Sequence, residues 1–430
     1  MIVNRQLTEA ERGKAAAIYC RYCGSNAATG VLAGLTMQVL VAVSLGMSTA
    51  WVSVIGTLNY LSYMLLPLGF YFSGKLGVGR NMRLFASMIA VMCFIVALSP
   101  LLPKYGVVVF FAAVVIIHCC GSFRDSMVFP LQKNITTDGT ILSLLFRAQL
   151  FAAVVSLTLS PLVAWGLSRW DNSMALPLLF CIGGGFHLIS GQLISRIPEP
   201  SILKELAARP VLPQVRKAWG EPLMRKQLLT GTVLNLSLMT MVSVCVVAAK
   251  KGCGMDNAQT MVLSTIQIVS TIAASYIFKF FTERFGPRMM MIAAYPMLWV
   301  LSLYWCLVPS DGCGLAAVVL PFVLGGLLTV IFPTALNNYF AVTIPNSIQV
   351  GGTFLVFTIN GGLTSLLGIL VNALIFNMTK HWSASDAMLP FRIFYLITGL
   401  LFIPGILSVT RLPAKNKLLS KKPTAQNNRF

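Results

Sequence analysis

The chain has 430 residues, 57% of them hydrophobic and only 10% charged, with a mean hydropathy of +0.80. That composition excludes a water-soluble globule, and no charged or Pro/Ser-rich linker divides the chain into several soluble domains. The net charge of +20 would suggest nucleic acid in a soluble protein; in a membrane protein it becomes a question of where the cations fall.

Apolar stretches of roughly 20 residues, the length that crosses a bilayer core, recur about twelve times. They centre near residues 35, 60, 92, 116, 154, 185, 239, 269, 298, 326, 361 and 400. The expected fold is an all-α polytopic membrane protein of about 12 transmembrane helices in two pseudo-symmetric six-helix bundles. The bundles are residues 1–195 and 229–410, joined by a cytoplasmic central loop, 196–228, and followed by a basic cytoplasmic tail, 411–430. An even number of spans puts both termini on one face. Placing that face in the cytoplasm gathers 26 of the 32 Lys and Arg there and leaves 6 outside, which predicts a multi-pass protein of the plasma (inner) membrane. The first 23 residues are polar and basic, and the ends, MIVN and NNRF, fit no lipidation motif. Neither a removable signal nor a lipid anchor is expected.

In chain order, the polar residues near span midpoints are Gln38 in the first span, Asn59 and Tyr60 in the second, and His118 in the fourth. Gln149 follows in the fifth, Asn235 in the seventh, Gln267 in the eighth and Asn360 in the eleventh. Polar groups are costly in hydrocarbon, so these eight are candidates to face a water-filled substrate cavity. Each also suits a hydrogen bond between packed helices. His118 carries the side chain whose ordinary pKa lies nearest neutrality, so it is a candidate for a coupling proton. No Asp or Glu sits near a span midpoint; Asp125, beside Arg124 at the cytoplasmic end of the fourth span, comes closest. Coupling therefore falls to His118, to Asp125, to a sodium ion on neutral oxygens, or is absent. Arg21, Arg124, Arg147 and Lys279, at the cytoplasmic ends of the first, fourth, fifth and eighth spans, could draw an anionic solute or snorkel to headgroups, with Arg147 and Arg124 the foremost contributors.

Three pairs of landmarks repeat across the midpoint. Basic glycine turns follow the second and eighth spans, GKLGVGR at Gly77 and ERFGPR at Gly286, 209 residues apart. DGTIL at Gly139 and GGTFL at Gly352 are 213 apart, and ISRIPE at Arg196 and VTRLPA at Arg411 are 215 apart. The nearly constant offset predicts a duplicated architecture. Cys253 and Cys313, each in a Gly-Cys-Gly context in an expected outer loop, suit a disulfide where that compartment is oxidising. The Cys20-Arg-Tyr-Cys23 pair has no second ligand pair, and no P-loop, nucleophile-elbow or zinc-protease motif occurs. No catalytic residue, metal, cofactor or nucleic-acid partner is expected.

With these features the chain resembles the major facilitator superfamily. That family's loop after the second helix, often echoed after the eighth, follows G-x-x-x-D-R-x-G-R-R. Glu283, Arg284, Gly286 and Arg288 match it, with Pro287 for one basic residue and Lys279 for the leading Gly. In the N-terminal copy Lys75 and Gly77 match, while Gly74 occupies the acidic position. The family's Gly-rich antiporter signature is mostly missing around Pro161. The resemblance implies a monomeric transporter of a small-molecule substrate within the lipid bilayer, working by alternating access. It further implies that the third, sixth, ninth and twelfth spans support a cavity lined by the others, a pattern that the sixth breaks with His187 and Gln192, and that the two matching turns gate it. Two alternatives stay open. One is a polytopic enzyme acting on a lipid-linked substrate, with His118 and Asp125 as acid and base; the other is a non-transporting sensor on a carrier fold.

Overall fold

The computed structural model describes residues 7–413, apart from 103, 137–140, 171, 199–202, 205–206, 208–210, 310–312, 344–348 and 380–385. Among the described residues every regular element is helical. Among these residues eleven helices are long and apolar enough to cross a membrane, and a bent pair, taken as one span, makes a twelfth. Span 1 is Glu9–Ser44, span 2 is the pair Thr49–Asn59 and Ser62–Leu76, bent by 42°, and span 3 is Val78–Leu101. Spans 4, 5 and 6 are Gly106–Gln132, Arg147–Arg169 and Met174–Ser195. The second half runs Pro222–Gly252, Asn257–Thr282, Pro287–Leu307, Leu315–Phe340, Gly351–Thr379 and Leu389–Thr410 as spans 7 to 12.

Span 7 begins several residues before the expected 229. Glu221 is extended and Pro222 opens the helix, where its fixed φ suits the first turn and its missing N–H costs nothing. Arg225 and Lys226 ride on that turn and give a helix the polarity of a loop. The central segment also holds a short helix, Val211–Gly220, and its Gln214 backbone lies against Gly351 at the start of span 11.

The packing repeats when six is added to each span number. Span 1 packs on 5 as 7 does on 11, span 3 on 4 as 9 does on 10, and span 3 on 6 as 9 does on 12. Between the halves the most extensive contacts are 2 with 11 and 5 with 8, a pair that the same operation exchanges, and smaller ones join 1 with 8 and 2 with 7, again exchanged by it. This is a two-fold relation between six-span halves. Spans 3 and 9 present Leu84, Val91, Leu98, Trp299 and Leu307 at the outer surface, where lipid covers them at no cost.

The duplicated glycine turns share one backbone geometry. Gly77 has φ 90°, ψ 154° and Gly286 φ 81°, ψ 164°, a region open essentially to glycine alone. Each N–H closes the preceding span, Gly77 onto the Ser73 carbonyl and Gly286 onto Thr282, both at 2.9 Å. Gly77→Ala and Gly286→Ala are each expected to destabilise the protein by roughly 1–3 kcal/mol in thermal unfolding. Gly13→Ala, inside a helix with open space around it, should be neutral or slightly stabilising. Equal melting temperatures for all three variants would contradict the strain.

Span 1 is not continuous. Gly34, at φ −79° and ψ −167°, splits it into Glu9–Ala33 and Leu35–Ser44. Its symmetry mate, span 7, is interrupted by a π-helical turn, Leu238–Val242, and span 11 by another, Val356–Leu363. Such interruptions often sit at functional positions.

Candidate functional site: a cavity between the halves

A cavity of about 390 Å³ lies between the two halves, mid-way along the spans. Span 1 contributes Gly30, Val31, Leu35 and Thr36, which bracket the Gly34 break; span 2 contributes Gly56, and span 5 Ser156 and Ser160. From the other half come Leu238, Met239, Val242 and Ser243 of the π-interrupted span 7, Ser264, Gln267 and Thr271 of span 8, and Thr329 of span 10. Among the described residues, spans 3, 6, 9 and 12 contribute no lining residue, in keeping with their outer positions, but neither do spans 4 and 11, expected to line it. Among the described residues that line the cavity, none is charged.

Most of the lining hydroxyls are already engaged. Thr36 Oγ1 and Ser264 Oγ lie 3.1 Å apart, a hydrogen bond that joins span 1 of one half to span 8 of the other. Ser264 also donates to the Thr260 carbonyl at 3.1 Å, so Thr36 is the donor between them. Thr271 donates to the Gln267 carbonyl at 2.9 Å, Thr329 to Gly326 at 2.9 Å, and Ser243 to Met239. Three side chains remain. The Ser160 hydroxyl is fully buried with no partner, Ser156 lies one turn before it on the same helix face, and the Gln267 amide enters from the opposite half. Pro333 has no N–H, which leaves the Thr329 carbonyl without its helical donor beside this cavity.

Of the amides expected to face a cavity, Gln267 lines this one. Gln149 lines an adjoining groove of about 190 Å³ between spans 5 and 8, with Ser275 and Tyr276, that shares Ser156, Ile268 and Thr271 with the cavity. Gln38 is 2% exposed and does other work. Its Nε2 donates to the Ala33 carbonyl at 3.1 Å, mending the break at Gly34, and its Oε1 lies 3.1 Å from His118 Nε2. The amide nitrogen being used, His118 is the donor of that second bond. In the other half Asn235 Nδ2 donates to the Asn360 carbonyl at 3.0 Å and Thr232 Oγ1 to Asn360 Oδ1 at 3.1 Å, tying span 7 to span 11. Gln38, His118, Asn235 and Asn360 thus hold helices together within each half. Asn59 is exposed, and the Tyr60 side chain lies outside the described residues.

The arginines divide similarly. Arg124, 9% exposed, grips Asp125 with Nε and Nη2 at 2.7 and 2.9 Å, and its Nη1 reaches Asn26 Oδ1 at 3.4 Å. Tyr22 Oη donates to the same carboxylate at 3.5 Å. The guanidinium is neutralised by this pair and is not free for an anion. Arg21 and Arg147 are exposed, and the Lys279 side chain lies outside the described residues. His118 and Asp125 stand seven residues apart on one helix, about 10 Å along its axis, and each is held by a different partner. They do not converge as an acid/base pair.

At the glycine turns, Lys75 Nζ sits 4.5 Å over the Tyr71 ring and Arg284 lies 5.4 Å from the Phe285 ring. Arg288 caps the end of span 12, donating to the carbonyls of Val409 at 3.3 Å and Thr410 at 2.8 Å. The Glu283 side chain lies outside the described residues. At the opposite end Cys253 and Cys313 form a disulfide with Cα atoms 5.4 Å apart. Nearby, Lys251 Nζ donates to the Met47 carbonyl at 2.6 Å and bridges the halves. Ser156, Ser160, Thr36, Ser264 and Lys251 carried no functional expectation. The hydroxyl pair at i, i+4 just before Pro161 was the available signal for the two span 5 serines.

No protein-family model and no curated protein matches the sequence. The fold does have relatives among solved structures. A variant of the nucleoside transporter NupG superposes with a TM-score of 0.70 at 12% identity, over 93% of this chain and 99% of that one. The E. coli fucose:proton symporter FucP gives 0.61 at 14% identity, over 95% and 99%. A bacterial homologue of the human lysosomal transporter Spinster, inward-facing and occupied, gives 0.61 at 11% identity, over 98% and 100%. The chain has the fold of the major facilitator superfamily, to which FucP is assigned.

Proposed function

We propose that this chain, built on the major facilitator fold, carries a small organic solute across the plasma membrane by alternating access, with both termini cytoplasmic. The observation that carries the reading is the central cavity itself, lined by spans of both halves and crossed by few side-chain bonds. A cavity on a pseudo-two-fold axis opens to either side when the halves rock. The cation distribution supports the orientation, with 26 of 32 Lys and Arg on the face that bears the termini. The superposed structures include nucleoside and fucose carriers, which supports a small solute as cargo.

A coupling proton, where one is used, falls to His118, since Asp125 is committed to Arg124 and no carboxylate stands among the described residues that line the cavity. Proteoliposomes should take up a solute that stabilises the protein against heat, faster with an imposed pH gradient. In His118→Ala the response to the gradient should vanish while binding persists. An unchanged response in that variant would remove His118 from the mechanism, and binding with no flux at all would favour a sensor.

A further inference from the structure

We infer that the transported solute is uncharged and hydroxyl-bearing, with one apolar face, and that Ser156, Ser160 and Gln267 are the groups that select it. This rests on the reading of the central cavity as the transport site and narrows its substrate class.

The first reason is electrostatic. The lining residues offer neutral dipoles and hydrocarbon and no ionised side chain among those described. An ion moved there would lose its hydration with no countercharge in reach, a penalty that grows as the dielectric falls. The three arginines with which an anion could pair do not supply it: Arg124 is taken by Asp125, while Arg21 and Arg147 are exposed and, among the described residues, line neither this cavity nor the span 5/8 groove.

The second reason is hydrogen-bond accounting. Hydroxyls and primary amides both donate and accept, so they complement a solute whose own groups do the same. Ser160 is a buried hydroxyl with no partner, a vacancy that proteins rarely leave. Ser156 shares its helix face, and Gln267 lines the same cavity from the other half. A solute bridging span 5 and span 8 would satisfy all three and be held by both halves at once, as a carrier needs in its closed state.

The third is shape. Val31, Leu35, Met239 and Val242 form an apolar wall of the same cavity. Its volume, about 390 Å³, lies near the small end of ligand pockets. A compact polyol, deoxysugar or nucleoside fits both walls; a fully apolar compound would leave the polar wall unpaired.

The test uses the purified full-length protein and two size-matched panels. One contains neutral polyols, deoxysugars and nucleosides; the other contains sugar acids, sugar phosphates and amino sugars. Members of the neutral panel should raise the melting temperature and enter proteoliposomes, and the charged counterparts should do neither. For the best neutral ligand, Ser160→Ala and Gln267→Ala should each weaken binding by roughly ten-fold, as expected for a hydrogen bond lost at a buried site. Gln267→Asn, which keeps the amide but shortens its reach, should recover part of that loss. Absence of any shift from the neutral panel overturns the class assignment, as does binding unaffected by both alanine variants. Flux of a charged compound alone would overturn this inference and leave the carrier reading intact. Binding of neutral ligands without flux would overturn the carrier reading and leave only the neutral, hydroxyl-bearing class of ligand for this cavity.

Discussion

The double variant Thr36→Cys/Ser264→Cys should lose all solute flux on oxidation and regain it on reduction. The two hydroxyl oxygens lie 3.1 Å apart, one in span 1 and the other in span 8, so thiols in their places come within reach of a disulfide. That bond would fasten the halves together at the cavity, and rocking is the movement that alternating access requires. Each single variant under the same oxidant serves as the control. So does the wild-type protein, since eight of its described cysteines are free and cysteine oxidation elsewhere must be discounted. Undiminished flux in protein shown by mass to be fully cross-linked would rule out rocking about this cavity.

Removing the carboxylate beside Arg124 should have the largest effect on stability. Asp125→Asn leaves a guanidinium that is 9% exposed without its countercharge, and breaking buried pairs in this way costs roughly 3–5 kcal/mol. The lower figure is expected, because the Asp125 side chain keeps 36% of its exposure and water screens the pair in part. Arg124→Leu/Asp125→Leu removes both charges, so it should unfold at a temperature closer to wild type than Asp125→Asn does. Thermal unfolding in detergent reads all three. A melting temperature for Asp125→Asn equal to that of the wild type would show that the pair carries no structural weight.

The architecture was largely legible in the residues. Twelve apolar stretches became twelve spans because hydrocarbon forces a backbone to satisfy its own hydrogen bonds, and a helix of about 20 residues is the way to do so. The duplicated turns were legible for a related reason. A glycine followed by a basic residue marked the same tight reversal in each half, and Gly77 and Gly286 adopt nearly identical angles. Cys253 and Cys313, distinguished by their glycine neighbours, are brought together. Span 7 starts earlier than its charges suggest, since Arg225 and Lys226 mask a helical turn that Pro222 begins.

The site was far less legible. An amphipathic helix in water announces its buried face by its polar one, but the polar residues of spans 7, 8 and 10 are not gathered on one face, so periodicity does not say which side faces lipid, neighbour or cavity. Asn and Gln therefore looked alike wherever they stood. Gln38 turned out to mend the break at Gly34 and hold His118, and Asn235 and Asn360 to join spans 7 and 11. Serine and threonine drew no notice, because they satisfy themselves on their own helix and occur in membrane spans for that reason alone. Only the packing of span 5 against span 8 reveals that Ser160 is buried beside a cavity with nothing to bind.

By itself, then, the sequence determined what is local or additive: the number of spans, the face that gathers the cations, the two glycine turns and the duplicated order. Each follows from hydration, charge or backbone sterics acting over a few residues. The tertiary structure alone decided the rotation of each helix about its axis, and with it the neutral, hydroxyl-lined character of the cavity. Rotation is settled by how side chains from distant spans fit together, and that information is not carried by any one span.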